Sequence, residues 1–104
     1  MEYLNKLYNL EEKAVVITGG AGFLCGEMVR SFHYSGCAVA VLDADKEGGN
    51  RIADEINKDG GNAVSFEMDV SQKQDCENCL GNILEEFGRI DVLINGAGIN
   101  APTP

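Results

Sequence analysis

Three glycines at the end of a β-branched apolar run are the first residues whose types and spacing point to chemistry. They are Gly19, Gly20 and Gly22, in the stretch AVVITGGAGFLCGEMV at 14–29. Glycines let another molecule approach the main chain, because no Cβ atom blocks the way. A helix beginning after them would present free N–H groups and a partial positive charge, which suits a phosphate. The alternative is a glycine-rich turn that binds nothing.

A carboxylate, Asp43, ends the second predicted strand roughly 20 residues beyond this loop, where dinucleotide-binding folds place a ribose acceptor. No arginine stands beside it, since Ala44, Asp45 and Lys46 follow. A 2′-phosphate would therefore meet two carboxylates, and the pattern favours NAD over NADP. Asp43 could instead cap the next helix, although Asp45 is the better candidate for that cap.

Two further predicted strands end in polar and small residues. Asp69 and Val70 close the third strand, where they could bond to an adenine amino group and pack on its ring. The alternative for Asp69 is a turn or cap. Asn95 closes the fourth strand and could tie neighbouring strands together, while Ala97 and Gly98 leave room for a cofactor to pass. Ligands of open α/β sheets bind at this carboxyl edge of successive strands.

The elements that must position these residues alternate along the chain. Apolar runs predict strands at 13–20, 37–43, 62–70 and 89–98, and the segments between them predict helices at 23–36, 45–59 and 72–88. The order β-α-β-α-β-α-β predicts an α/β fold with a parallel sheet, and right-handed crossovers give strand order 3-2-1-4. We expect a partial, truncated Rossmann doubly wound sheet, its third helix alone on one face and preceded by a Ser71–Gln74 capping box.

The composition limits the partners that this chain could have. It has 104 residues, of which 44% are hydrophobic, and a formal net charge of −9. Nucleic acids and anionic membranes need a basic face, so neither is expected as a partner. No apolar run approaches the ~20 residues of a membrane span, and the first residues show no signal core, so we expect a cytoplasmic protein. The four cysteines are expected to be ordinary thiols, with no metal site.

Taken together, these motifs resemble those of short-chain dehydrogenases/reductases. The matching stretches are VVITGGAGFLCG, VAVLDAD, FEMDVSQ and EEFGRIDVLINGAG, and they cover nearly the whole chain. The loop departs from the family pattern Thr-Gly-x-x-x-Gly-x-Gly, because Phe23 and Cys25 stand where its last two glycines would be. Within the family, the chain is similar to the mannonate/fructuronate oxidoreductases and their gluconate dehydrogenase-like relatives.

The resemblance implies a set of residues that would bind the cofactor. Those expected at the pyrophosphate and nicotinamide side, largely through the backbone, are Gly19, Gly22, Phe23 and Leu24. Asp43 would hold the ribose, and Asp69 and Val70 would hold the adenine. The path to the nicotinamide ribose would be lined by Asn95, Ala97 and Gly98.

The catalytic Ser, Tyr and Lys of the family lie beyond the fourth strand. Tyr3, Tyr8 and Tyr34 each lack a lysine four residues later, so we expect no catalytic residue in this chain. Residues 1–104 would then be the N-terminal dinucleotide-binding part of a Rossmann domain, incomplete at its C-terminus and inactive alone. The complete protein would bind a small-molecule substrate and form a homo-oligomer.

The implied function is hydride transfer between NAD and an alcohol or carbonyl, with a sugar acid as the substrate. A non-catalytic nucleotide-binding module is one alternative. The other is an extended-branch sugar-nucleotide epimerase or dehydratase, which TGGAGFL resembles but GRIDVLINGAG argues against. The sequence assigns Cys25 no role and predicts that Cys25→Gly leaves dinucleotide binding intact.

Overall fold

Four parallel strands form one sheet in a computed structural model that describes residues 12–96. The strands are β1 (Ala14–Thr18), β2 (Ala38–Asp43), β3 (Ala63–Glu67) and β4 (Val92–Asn95). The helices between them are α1 (Phe23–Tyr34), α2 (Lys46–Lys58) and α3 (Lys73–Phe87). The strand order β3-β2-β1-β4, with every neighbouring pair parallel, confirms the predicted partial Rossmann fold.

The two central strands are buried on both faces, which explains why their sequences are apolar without a break. All five residues of β1 are buried, as are the four middle residues of β2. Because successive side chains of a strand point to opposite faces, each strand contributes to two cores.

Helices α1 and α2 cover one face of the sheet and form the first core with it. The side chains of Ile17 and Val41 lie in this core against Val29 of α1 and Ile52 of α2. Arg30 of α1 also pairs with Glu55 of α2, so the two helices are joined at the surface as well as packed on the sheet.

Helix α3 covers the opposite face and forms the second core. Val16 and Leu42 from the central strands pack there with Cys79 and Ile83 of α3. Leu93 of β4, which pairs with Val16, is 58% exposed on this face. Among residues 12–96, α3 is the sole helix on that side, as the sequence predicts.

Two sequence-based expectations around α3 are wrong. Strand β3 ends at Glu67, not at residue 70. The capping box does not form, because the Ser71 hydroxyl donates to Asp69 Oδ1 at 2.6 Å and Gln74 donates to Asn78 at 3.0 Å. The carboxylate of Asp75, in the first turn of α3, instead accepts a hydrogen bond from the Asp69 N–H at 3.0 Å.

Within the described part of the chain, no helix has the length and apolar character needed to cross a bilayer.

Candidate functional site

The chain turns sharply at Gly19, between β1 and α1. Its φ of 72° lies in the left-handed region, which side chains other than glycine rarely adopt. Its N–H donates to Leu42 O at 2.6 Å, and Gly22 N donates back to Gly19 O at 3.1 Å. The turn is therefore fixed to β2 and closed on itself before the helix begins.

Helix α1 begins at Phe23, where the glycine pattern predicts a helix start. Its first helical hydrogen bond runs from Gly26 N to Gly22 O at 2.7 Å. The N–H groups of Phe23, Leu24 and Cys25 precede that bond and have no carbonyl within the helix to receive them. Three main-chain donors thus converge at the carboxyl edge of the sheet, which is the arrangement that binds phosphate.

Two glycines bring the neighbouring elements close to this loop. A Cβ atom on Gly20 would lie 2.7 Å from Val41 Cγ1, so the glycine loop packs tightly on β2. A Cβ atom on Gly48 would lie 3.0 Å from Ala21 Cβ and would overlap the Asp45 carboxylate. The sequence assigns no role to Gly48, because the distance between α2 and the loop cannot be read from local pattern.

Asp43 ends β2, as predicted, and its carboxylate joins two loops. Oδ2 accepts from Ala21 N in the glycine loop at 3.0 Å, and Oδ1 accepts from Asp45 N at 2.8 Å. A carboxylate has about four acceptor positions, so capacity remains for hydroxyl donors of a ligand. The cap of α2 belongs to Asp45, which accepts from Gly48 N at 3.0 Å.

Asp69 lies in the turn after β3, not at the strand end, and forms an Asx turn. Its Oδ1 accepts both the hydroxyl and, at 2.9 Å, the N–H of Ser71. These bonds, the hydroxyl bond first, lower the pKa of Asp69 because they favour the charged carboxylate. Asp69 therefore forms the turn that the sequence offered as an alternative to adenine binding. The next residue, Val70, is 54% exposed beside it.

The side chain of Asn95 ties β4 to β1, as predicted. Thr18 Oγ1 donates to Asn95 Oδ1 at 2.9 Å and accepts from Gly96 N at 3.0 Å. Gly96 N also donates to Thr18 O at 3.0 Å. Thr18 and Gly96 were not predicted as site residues, because their roles arise from a contact between residues far apart in the chain.

A cleft of about 220 Å³ opens between α3 and the sheet, next to these residues. Its rim includes Asn95, Thr18 and Val70, and its wall is apolar. The apolar lining residues are Leu42, Met68, Leu80 and Leu93. The exposed face of Val70 is therefore available to a flat apolar group.

The structure thus places the candidate residues along one edge of the sheet. Gly19, Gly22, Phe23 and Leu24 form the loop and helix start, and Asp43 is bonded to that loop through Ala21. Val70 and Asn95 share the rim of the apolar cleft. Ala97 and Gly98 lie outside the described residues.

A larger cavity of about 440 Å³ lies at the opposite, amino edge of the sheet. The C-terminal ends of the helices face that edge, and the cavity is lined by Glu12, Glu86 and Arg89, of which Arg89 is paired with Asp91, so this edge offers a phosphate less than the helix N-termini do. His33 in its wall is packed against α2 and contacts Asp59 Oδ2 at 2.8 Å. The carboxyl edge is therefore the better candidate for an anionic ligand.

The four cysteines are all free thiols. Cys25, Cys37 and Cys79 are buried, and Cys76 is half-buried. Burial, as the first cause, raises the pKa values of Cys37 and Cys79, which makes these thiols less reactive.

Comparison with known families gives a match over residues 13–104, to the family described as short chain dehydrogenase. The chain belongs to this family.

Its relatives among short-chain dehydrogenases include two uncharacterized oxidoreductases. One, from Haemophilus influenzae, is 37% identical over 95 residues, covering 91% of this chain and 33% of the relative. The other, from Bacillus subtilis, is 43% identical over 94 residues, covering 90% of this chain and 34% of the relative. The chain therefore spans about a third of the length of the curated relatives it matches.

A similar solved structure is described as a D-mannonate oxidoreductase from Haemophilus influenza with bound NAD. It superposes with a TM-score of 0.78 at 32% identity, over 81% of this chain and 30% of that one. The short-chain dehydrogenase fold and the oxidoreductase class of the relatives thus agree with the family resemblance found in the sequence.

Proposed function

We propose that this chain is the NAD-binding part of an oxidoreductase that transfers a hydride between nicotinamide and an alcohol or carbonyl carbon. The observation that carries this proposal is the 3.0 Å hydrogen bond between Ala21 N and Asp43 Oδ2. It holds a phosphate-binding loop and a carboxylate acceptor side by side, which is what a nucleotide with a ribose and a pyrophosphate requires.

The residues at this edge fit a dinucleotide. The N–H groups at the start of α1 would hold the pyrophosphate, with Phe23 and Leu24 toward the nicotinamide side. Asp43 would accept from the ribose hydroxyls, and Val70 would pack on the adenine. When bound, the nicotinamide ring supplies the hydride chemistry, and the protein supplies binding and orientation.

Asp69 and Asn95 would complete the set of cofactor-binding residues, together with Ala97 and Gly98. The Asp69 carboxylate is held by Ser71 and would accept from the adenine amino group. Asn95, held by Thr18, would line the path to the nicotinamide ribose.

The charges near Asp43 support NAD over NADP as the cofactor. Asp43 and Asp45 lie next to each other, and in residues 12–96 neither carboxylate pairs with a lysine or arginine. A ribose 2′-phosphate would therefore meet two negative charges that no ion pair within residues 12–96 neutralises.

A sugar acid is the proposed substrate of the whole protein, and its support is the solved D-mannonate oxidoreductase structure. Since no tyrosine here is followed by lysine four residues later, this chain would contribute cofactor binding and not proton transfer. We place the activity in the cytoplasm and in a homo-oligomer of the whole protein, on the family resemblance and the acidic composition.

Calorimetric titration of the chain with NAD and with NADP, alongside circular dichroism, tests this proposal. We expect NAD to bind the folded chain more tightly than NADP. The variant Asp43→Ala should weaken NAD binding by about tenfold, the equivalent of one charge-assisted hydrogen bond, and weaken NADP binding less. A folded chain that binds neither nucleotide would contradict the proposal.

A matched control is Asp54→Ala, which removes an exposed aspartate of α2 that forms no hydrogen bond within residues 12–96. It should leave both affinities unchanged. Equal weakening of NAD and NADP by Asp43→Ala would overturn the assignment of Asp43 to the ribose.

A further inference from the structure

Cys25 and Gly96 contact each other at the junction of two segments of the proposed site. Cys25 lies in the first turn of α1 and is 0% exposed. A Cβ atom built on Gly96 would overlap Cys25 Sγ and would lie 2.7 Å from Thr18 O. The thiol therefore rests against the main chain directly after β4, at a position that only glycine fits.

The opposite side of Gly96 is held by hydrogen bonds. Its N–H donates to both oxygens of Thr18, Oγ1 and the carbonyl, each at 3.0 Å. The Thr18 hydroxyl in turn donates to Asn95 Oδ1 at 2.9 Å. Gly96 is thus hydrogen-bonded to Thr18 on one side and packed against the Cys25 thiol on the other. The thiol therefore limits the movement of Gly96 toward α1.

We propose that Cys25 is a positioning residue, whose thiol sets the distance between the first turn of α1 and Gly96, directly after β4. This inference rests on the proposed function, in which the start of α1 holds the pyrophosphate and Asn95, next to Gly96, lines the path to the nicotinamide ribose. In the same proposal Asp43 and Asp69 hold the adenosine half, and within residues 12–96 neither carboxylate forms a hydrogen bond with Cys25 or Gly96. Removing the thiol would therefore act on one half of the cofactor and spare the other.

The proposed role of Cys25 differs from the expectation drawn from the sequence. The family pattern places a glycine at this position, and from that pattern alone replacement of the cysteine looks harmless. In this structure the Sγ atom fills the space beside Gly96, and its removal leaves a void that the Gly96 main chain can enter.

Cys25→Ala tests the proposal when the affinities for NADH and for ADP are measured on the same preparation of the full chain. ADP carries the adenosine and pyrophosphate but lacks the nicotinamide. We expect the NADH affinity to fall about fivefold and the ADP affinity to change less than about twofold. The fluorescence of bound NADH should also decrease, since it reports the surroundings of the nicotinamide ring.

Two further variants separate positioning from general stability. Cys25→Ser restores an atom at the γ position and should recover most of the NADH affinity. Cys37→Ala removes another buried thiol of the first core, at the amino end of the sheet, and should lower the melting temperature without changing the ratio of NADH to ADP affinity.

The outcomes distinguish this inference from the proposed function. If the unsubstituted folded chain binds no NADH, the proposed function is overturned and the role of Cys25 with it. If NADH binds but Cys25→Ala changes NADH and ADP affinity by the same factor, or changes neither, only the positioning role is overturned.

Discussion

The two faces of the sheet differ in how completely they are covered. On the face of α1 and α2, Ile17, Val41 and Ile56 are almost fully buried. On the face of α3, Leu84 and Leu93 remain about half exposed. The proposed cofactor site takes its glycine loop from the closed face and its apolar cleft from the open one.

This difference in coverage distinguishes the glycine loop, whose main chain is held in place, from the cleft wall, whose apolar side chains are exposed. The glycine loop is fixed because the elements under it approach at van der Waals contact, as the tight space around Gly20 shows. The cleft wall, including Leu93, is open because α3 covers the sheet only in part. In the proposed function the loop would therefore set where the dinucleotide binds, and the cleft would offer it apolar area.

The largest expected effect contrasts one side chain from each face. Ile17→Ala should lower the free energy of unfolding by about 2–5 kcal/mol, because it opens a cavity in the closed core. Leu93→Ala should cost less than about 1 kcal/mol, because its side chain is already half in water. Urea denaturation of both variants measures the two values. Equal losses of unfolding free energy would show that the α3 face is covered in solution, and would contradict the difference between the two faces.

Glycines supply the second contrast. Gly20→Ala should destabilise the chain by about 1–3 kcal/mol, because its Cβ would press on the stiff, buried Val41 side chain. Gly81→Ala, within α3, should stabilise it by about 0.5–1 kcal/mol, because its Cβ meets no atom within 4 Å and alanine favours the helix. Thermal melting of the two variants should therefore shift in opposite directions. A gain from Gly20→Ala would refute tight packing at the loop.

The smallest expected effect concerns the attachment of β4, the strand that carries Leu93. The Asp91 carboxylate accepts from Arg89 at 2.7 Å and from Ala14 N at 2.8 Å, and these bonds, Arg89 first, lower its pKa. A lowered folded-state pKa stabilises the fold above the unfolded pKa, and this contribution is lost as the pH falls through the folded value. The melting temperature should therefore fall more steeply below about pH 4 for the natural chain than for Asp91→Asn.

Asp54→Asn is the matched control for that measurement, because it changes an exposed carboxylate of α2 without a bond in residues 12–96. This variant should leave the pH dependence of the melting temperature unaltered. If the melting temperatures of Asp91→Asn and Asp54→Asn depend on pH in the same way, the group responsible for the acid sensitivity does not lie at the β1–β4 junction.

The order of elements and the placement of candidate residues at the carboxyl edge of the sheet were predictable because they depend on local pattern. Hydrophobic periodicity located the strands, and the rule for the carboxyl edge located Asp43 and Asn95. The end of β3 was not predictable, because Asp69 turns the chain through bonds to Ser71 that compete with both strand and capping box.

Long-range contacts account for the other residues that the sequence could not assign. Glycine weakens a helix, yet Gly49 of α2 has a packing reason, because a Cβ there would lie 2.5 Å from Ser65 Oγ of β3. Gly96 likewise has to be glycine because the Cys25 thiol occupies the space of a Cβ atom. Such requirements depend on distances between elements, and these distances exist only after packing.

The pairing of Ala14 with Asp91 also bears on the order in which the molecule folds. These partners are 77 residues apart, whereas β1 pairs with β2 and β2 with β3 across a single helix each. Contacts between distant residues form late, because closing a long loop costs entropy before any contact repays it. We therefore expect the β1-to-β3 unit, with Asp43 and the glycine loop, to assemble first. Asn95 would join it last, which pulsed hydrogen exchange can resolve as later protection of the β4 amides.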